Sequence, residues 1–194
     1  KEFDLFTKSL ANYQMENIAT AISVIDAIQS CGIKVSDQSI KNGVKNFDWS
    51  GRFEVLQQNP NILIADGSHN AHGMKKTLTS IKKDFQFQEI ITVLGVLRGH
   101  NLYEILDQFI GINSKFVAVN SREPRALPSK DVFDILISKE FPLISFENSV
   151  SEGIKIALKN SSKNSLILVT GSLSVAAEAI QYVKHVDFET YPDI

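Results

Sequence analysis

A single cysteine, Cys31, stands among the 194 residues, so no internal disulfide can form and a reducing compartment, the cytoplasm, is expected. Cys31 falls in an apolar helical pattern, which reads as a buried thiol rather than a nucleophile. Neither charge sign is in excess. Twenty Lys and Arg against 22 Asp and Glu leave a formal charge of −2, with no basic field to hold a nucleic-acid backbone. No apolar run reaches the length of a membrane span and no signal-like segment opens the chain, so neither a nucleic acid nor a membrane is expected as a partner. Repeats and low-complexity tracts are absent. Two phosphate-cradling patterns are missing as well, Gly-x-x-x-x-Gly-Lys-Ser/Thr and Gly-x-Gly-x-x-Gly, which argues against a self-sufficient NTPase and a dinucleotide-dependent dehydrogenase. Ser172 lacks the Gly-x-Ser-x-Gly setting of an esterase elbow and is not read as a nucleophile. The chain opens on Lys1 rather than Met, and sequence upstream of it is expected.

What is present divides at the turn-rich stretch 46–51. Before it, Ile18, Ala21, Ile22, Ile25 and Ile28 form an apolar stripe at helical spacing, with Gly32 as a stop signal. Ser36 then caps a short second helix over 36–43. After the turn, apolar runs at 53–56, 62–65, 90–94, 116–119, 143–146 and 166–169 alternate with helical patterns at 71–84, 102–110, 129–139, 150–159 and 174–183. Strand and helix in alternation imply an α/β domain: a parallel sheet covered on both faces. We place the boundary so that 1–48 and 49–194 are separate domains. Residues from His185 onward read as a loosely held polar tail.

Most of the expected strands end in small or polar residues: Asp66-Gly67-Ser68, Gly95, Asn120-Ser121-Arg122 and Thr170-Gly171-Ser172. Ligands of open α/β sheets bind outside the carboxyl ends of the strands, so these clusters mark one working edge. The richest is Asp66-Gly67-Ser68-His69-Asn70-Ala71-His72-Gly73. Gly67 permits a tight turn, Asn70 caps the following helix, and Asp66 is placed to accept from a sugar hydroxyl. His69 and His72 lack the further partners of a metal site, so no metal ligand is assigned. Arg52, beside the boundary, has the planar fork that suits a phosphate. Gln14 and Asn17 lie one helical turn apart and share a face, where two amides can read a base edge. For each of these the bland reading is a plain turn, cap or solvated side chain, and for Arg52, Gln14 and Asn17 taken singly it is the commoner one. Arg122 and Arg125 in the loop 121–128 are read as solvated by default.

In this order and spacing the motifs resemble the folylpolyglutamate synthase and dihydrofolate synthase family of the Mur ligase superfamily. Tyr13-Gln14-Met15-Glu16-Asn17 is similar to the family's His-Gln-x-x-Asn helix start. Trp49-Ser50-Gly51-Arg52-Phe53-Glu54 is similar to Trp-Pro-Gly-Arg-Leu-Glu, and Asp66-Gly67-Ser68-His69-Asn70-Ala71 to Asp-Gly-Ala-His-Asn-Pro. Pro124-Arg125-Ala126 and Thr170-Gly171-Ser172 also match. Ser50 stands where the family has Pro, and Tyr13 where it has His. Residues Arg98-Gly99-His100-Asn101 replace an Asp-Lys-Asp, so no role is carried onto them.

The resemblance implies a Rossmann-like domain from residue 49, preceded by the last helices of an incomplete P-loop ATPase domain. It implies an ATP-dependent ligase that adds L-glutamate to folate or dihydropteroate through an acyl phosphate. ATP and Mg2+ would be bound mainly by the upstream domain, and this chain would be inactive alone. It assigns Gln14 and Asn17 to the adenine, Arg52 to the ATP phosphates, Asp66 to the ribose, Asn70 to the nucleotide site, and His69 to the neighbourhood of the reacting phosphate or incoming glutamate. The catalytic pair is then Arg52 and His69. The parent enzyme would be a monomer, and the apolar stripe of the first helix would let this piece dimerise. Two other readings remain: a non-catalytic Rossmann-like module binding a nucleotide or acidic metabolite, and the C-terminal domain of a cell-wall Mur ligase.

Overall fold

The computed structural model describes residues 3–7 and 11–186; the expected polar tail lies, from residue 187, outside the described residues. The chain divides into two compact units, Lys1–Trp49 and Ser50–Ile194.

The first unit holds α1 (Asn12–Ser30) and α2 (Asp37–Lys45). Ser36 caps α2 by accepting from the Ser39 amide at 3.1 Å, and the helix runs two residues past the expected stop at Gly43. Ile18, Ile22 and Ile25 of the apolar stripe line a groove of 510 Å³ with Ile40, Val44, Phe47 and Trp49. Cys31 corrects an expectation: it lies at the C-cap of α1 and is exposed, because the chain turns at Gly32 before any element covers it.

The second unit is a six-stranded sheet in the order β1-β2-β6-β3-β4-β5. Its strands are β1 (Glu54–Gln57), β2 (Ile62–Asp66), β3 (Glu89–Leu94), β4 (Ser114–Val119), β5 (Leu143–Glu147) and β6 (Ser165–Thr170). The helices are α3 (Ala71–Asp84), α4 (Leu102–Asp107), α5 (Ser129–Ser138), α6 (Val150–Asn160) and α7 (Leu173–Lys184). Five strands are parallel, because each connection carries a crossover helix. Only four residues join β1 to β2, too few for a crossover, so β1 pairs antiparallel at the edge. The helix expected over 102–110 ends at Asp107. Beyond it the amides of Gln108, Phe109 and Ile110 bond three residues back, the tight 3₁₀ pattern, until Gly111 turns the chain at φ +77°.

Burial follows strand position. All six residues of β6 are buried, as a central parallel strand requires, whereas the edge strands β1 and β5 are half-buried. On one face Leu63, Ile91, Val117 and Ile167 pack under Ile154 of α6 and Val175 and Ala179 of α7. The side chains of alternate strand residues point the other way. There Phe116 stacks edge-on against Phe109, just past α4, at 5.1 Å. Helices α3, α4 and α5 form the layer on that second face. No helix among the described residues is long and apolar enough to cross a membrane.

The strand ends approach so closely that side chains are excluded. At Gly171, φ is +106° and a Cβ would run into the Gly95 carbonyl oxygen, a backbone atom that cannot swing aside. Gly171→Ala is therefore expected to destabilise the second unit by about 3 kcal/mol, the left-handed strain and the overpacking acting together. At Gly43, inside α2, nothing lies within 4 Å of an added Cβ. Gly43→Ala should instead stabilise the first unit by about 0.5–1 kcal/mol through helix propensity. Thermal denaturation followed by circular dichroism checks both signs.

Candidate functional site

The stretches 50–54 and 66–70 fold onto one another. Gly51 (φ +76°) and Phe53 (φ +53°) both take left-handed backbone, which bends the chain sharply into β1. Two carboxylates hold that bend. Glu54 accepts from the Gly51 amide at 3.0 Å and the Ser50 hydroxyl at 3.1 Å, and pairs with Lys184 of α7 at 2.6 Å. Burial pushes the Glu54 carboxyl up, but the Lys184 ammonium and the Gly51 and Ser50 donors outweigh it and hold the group below its ordinary value.

Asp66 is the second carboxylate and is completely buried. One oxygen accepts from the Phe53 amide at 2.9 Å; the other accepts from the Ser68 amide at 3.1 Å and the Thr77 hydroxyl at 2.7 Å. The Gly67 amide also donates to the Gly51 carbonyl at 2.8 Å, and Arg52 Nη1 reaches the Gly67 carbonyl at 3.4 Å. Asp66, expected at the ribose, is thus enclosed in this arrangement with both oxygens on protein donors. With no exposed surface and both oxygens engaged, the carboxylate fastens the turn.

Above this turn, at the carboxyl ends of β2, β3, β4 and β6, lies a pocket of 430 Å³. His69, Leu97, His100, Glu123, Arg125, Ser172, Leu173, Ser174 and Ala177 line it. Each wall has a cause in local structure. Asn70 caps α3 by accepting from the Gly73 amide at 2.8 Å, which turns His69 outward from the strand. His69 Nδ1 lies 3.1 Å from the Gly67 carbonyl oxygen. A carbonyl only accepts, so Nδ1 carries the hydrogen and Nε2 is left for ligand or proton. The loop after β4 folds back over the loop after β3 through Leu97 and Ala126, and the Arg98 amide donates to the Arg125 carbonyl at 2.7 Å. That brings Arg125, ion-paired with Glu123 at 2.8 Å, beside His100. Ser172 caps α7 on the remaining wall, accepting from Val175 N at 3.2 Å.

Of the residues singled out from sequence, Arg52, Asp66, His69 and Asn70 gather at the end of β2. Gln14 and Asn17 belong to the first unit, where Asn17 Nδ2 donates to Gln14 Oε1 at 2.9 Å beside the apolar groove. The two arginines of 121–128 are exposed, as read from the sequence, and also carry partners: Arg122 bonds Glu178 and Gln181 of α7, and Arg125 bonds Glu123. His100 was passed over because 98–101 match no motif. It stacks against His69, ring centres 5.0 Å apart, and the only signal for it was its place just past a strand end.

Asp66→Ala would leave two amides and a hydroxyl buried without an acceptor. We expect a loss of about 3 kcal/mol in urea unfolding, since each orphaned buried donor costs about 1–3 kcal/mol. A loss under about 0.5 kcal/mol, the scale of an ordinary surface substitution, would show that Asp66 does not fasten this turn.

Residues 51–173 match the family described as Mur ligase, glutamate ligase domain. A dihydrofolate synthase/folylpolyglutamate synthase of Bacillus subtilis is 26% identical over 88% of this chain, and one of Escherichia coli is 22% identical over 86%. The chain spans 39% and 37% of those two relatives. Among solved structures, Mycobacterium tuberculosis folylpolyglutamate synthase with ADP and AMPPCP superposes with a TM-score of 0.81 at 19% identity, over 93% of this chain and 42% of that one. The Escherichia coli enzyme FolC with DHPP and ADP gives 0.73 at 21%, over 87% and 39%. Matched over more than half its length, with a pocket at the carboxyl edge of a Mur-type sheet, the chain belongs to the Mur ligase glutamate ligase domain family.

Proposed function

We propose that this chain is the glutamate ligase domain of an ATP-dependent ligase that joins L-glutamate to folate or dihydropteroate, acting in the cytoplasm. The observation that carries the reading is the pocket at the strand ends, where two imidazoles and an arginine converge above a turn fastened by Asp66. Relatives named for this activity match most of the chain.

The residues at the end of β2 fit a polyphosphate. Arg52 is half-buried, which lowers the dielectric around its charge, and its anchor on Gly67 aims it from a rigid turn. On this reading Arg52 steadies the phosphates, and His69 Nε2 stands near the reacting phosphate or the incoming amine. Asn70 shapes the nucleotide site by capping α3, and Asn17, oriented by Gln14, faces the adenine. ATP supplies the phosphoryl group that activates the pterin-linked carboxylate as an acyl phosphate. The part played by this chain is positioning and charge stabilisation. Magnesium is assigned, on this reading, to the upstream domain. That ion and the ATP belong mainly to a P-loop domain, without which the chain is inactive.

The test joins this chain to the part of the Bacillus subtilis relative that precedes the matched segment and measures phosphate release that requires both glutamate and dihydropteroate or a folate. Turnover is expected in the joined protein and not in the chain alone. A folded joined protein with no glutamate-dependent turnover sinks the proposal. In the same assay Arg52→Ala should lower kcat/KM for ATP about 10- to 100-fold, the weight of one charged hydrogen bond.

A further inference from the structure

Helix α3 is set apart by its charge. Between Gly67 and Gln88 stand four lysines, Lys75, Lys76, Lys82 and Lys83, and one acid, Asp84, in a chain whose formal charge is −2. The exposed positions His72, Lys75, Thr79, Lys82 and Lys83 follow one another at helical spacing, while Met74, Thr77, Leu78 and Ile81 are buried. Other lysines of this unit are met by acids. Lys130 pairs with Asp134 four residues on, Lys155 with Glu152 three residues back, and Lys139 and Lys184 with Asp107 and Glu54. Helix α3 offers no such partner: no Asp or Glu lies three or four residues from any of its four lysines. Among the described residues Lys75 and Lys82 make no ion pair. The helix dipole accounts for Lys82 and Lys83, which sit in the last turn, but not for Lys75 and Lys76, which lie nearer the positive end. Four like charges on one helix repel one another, a cost that a bound anion removes.

The stripe begins beside the candidate site. Asn70, next to His69, caps α3, and from that cap the helix runs away from the carboxyl ends of the strands. The seven residues from Lys75 to Lys82 cover about 10 Å of helix. A γ-linked glutamate spans about 6 Å, the reach of an α-linked residue plus two methylene bonds, and keeps one free carboxylate. Two such residues match the gap between the lysines. The exposed positions of α3 hold no Phe, Tyr or Trp on which a nucleic-acid base could stack, and no apolar side chain to enter a membrane.

We propose that the exposed face of α3 is a docking strip for the γ-linked oligoglutamate tail of a pterin substrate, held by Lys75 and Lys82 in the added field of Lys76 and Lys83. The last carboxyl group of the tail reacts at the strand-end edge, and the residues already added extend along α3. The identity of this ligand rests on the ligase reading. Charges in contact with water act weakly one at a time, so the attraction grows with the number of carboxylates and falls with salt. A substrate without a tail gains nothing from the strip.

The experiment titrates the full chain with γ-linked tetraglutamate at low and high salt and follows the backbone amides by NMR. Shifts are expected along 72–83, with binding about tenfold weaker at high salt. The double variant Lys75→Glu/Lys82→Glu should weaken binding about tenfold. Lys130→Glu/Lys155→Glu makes the same charge change on two other helices and should leave binding within about twofold, circular dichroism confirming that both variants are folded. In the joined protein the first variant should raise KM for a folate with a γ-linked tail about tenfold, with kcat and the KM of the untailed substrate unchanged. Three results overturn the proposal: no shifts on α3 with high-millimolar tetraglutamate at low salt, an equal loss in the Lys130 and Lys155 variant, or tighter binding at the same residues by a single-stranded oligonucleotide of equal charge or by anionic vesicles. A joined protein that turns over glutamate with no dependence on the tail sinks this inference alone. A joined protein without turnover sinks the ligase reading, and the titration of the chain still decides the strip.

Discussion

The strand-end edge depends on a carboxylate that no solvent reaches. Asp66 gathers an amide from the left-handed bend at Phe53, an amide from its own turn at Ser68 and a hydroxyl from α3 at Thr77. The bend before β1, the β2–α3 turn and α3 itself therefore share one acceptor. Burying a charge is favourable only when its lone pairs are filled, and here they are filled by groups that would otherwise be orphans themselves. The consequence is geometric. Arg52 and His69 each touch the carbonyl of Gly67, so whatever fixes Gly67 fixes the direction of both side chains.

The sheet supplies the rest of the rigidity. Gly95 and Gly171 let the ends of β3 and β6 come together, with the Gly95 amide donating to Thr170 at 3.1 Å and the Gly171 amide to Ser68 at 3.1 Å. Turn, strand ends and the cap of α7 thus form one hydrogen-bonded rim. The pocket above it is walled by loops whose arginines are already paired. Such a site offers a ligand little unbalanced fixed charge.

Much of this architecture was legible beforehand. The alternating runs announced β2 through α7, and the caps Ser36 and Asn70 are set by local chemistry that does not need the tertiary fold. Strand direction at the edge was less visible: 53–56 reads like the other strands, and only the short link to β2 makes it antiparallel. Burial was not legible in the same way: Cys31 was taken as buried and is exposed, and Asp66, read at the working edge, is fully enclosed. Burial is a property of what packs against a residue, and periodicity reports only which face it is on.

The sequence by itself determined the α/β order, the helix caps, the working edge and the resemblance carried by Arg52, His69 and Asn70, because each is written in local spacing and in residue types with narrow conformational choices. Only the tertiary structure decided that the 50–54 and 66–70 motifs are one hydrogen-bonded unit, that Asp66 is buried and fastens it, and that His100 stacks on His69 beside Arg125. Those outcomes depend on contacts between strand ends far apart in the chain. No local pattern encodes which loop will lie over which.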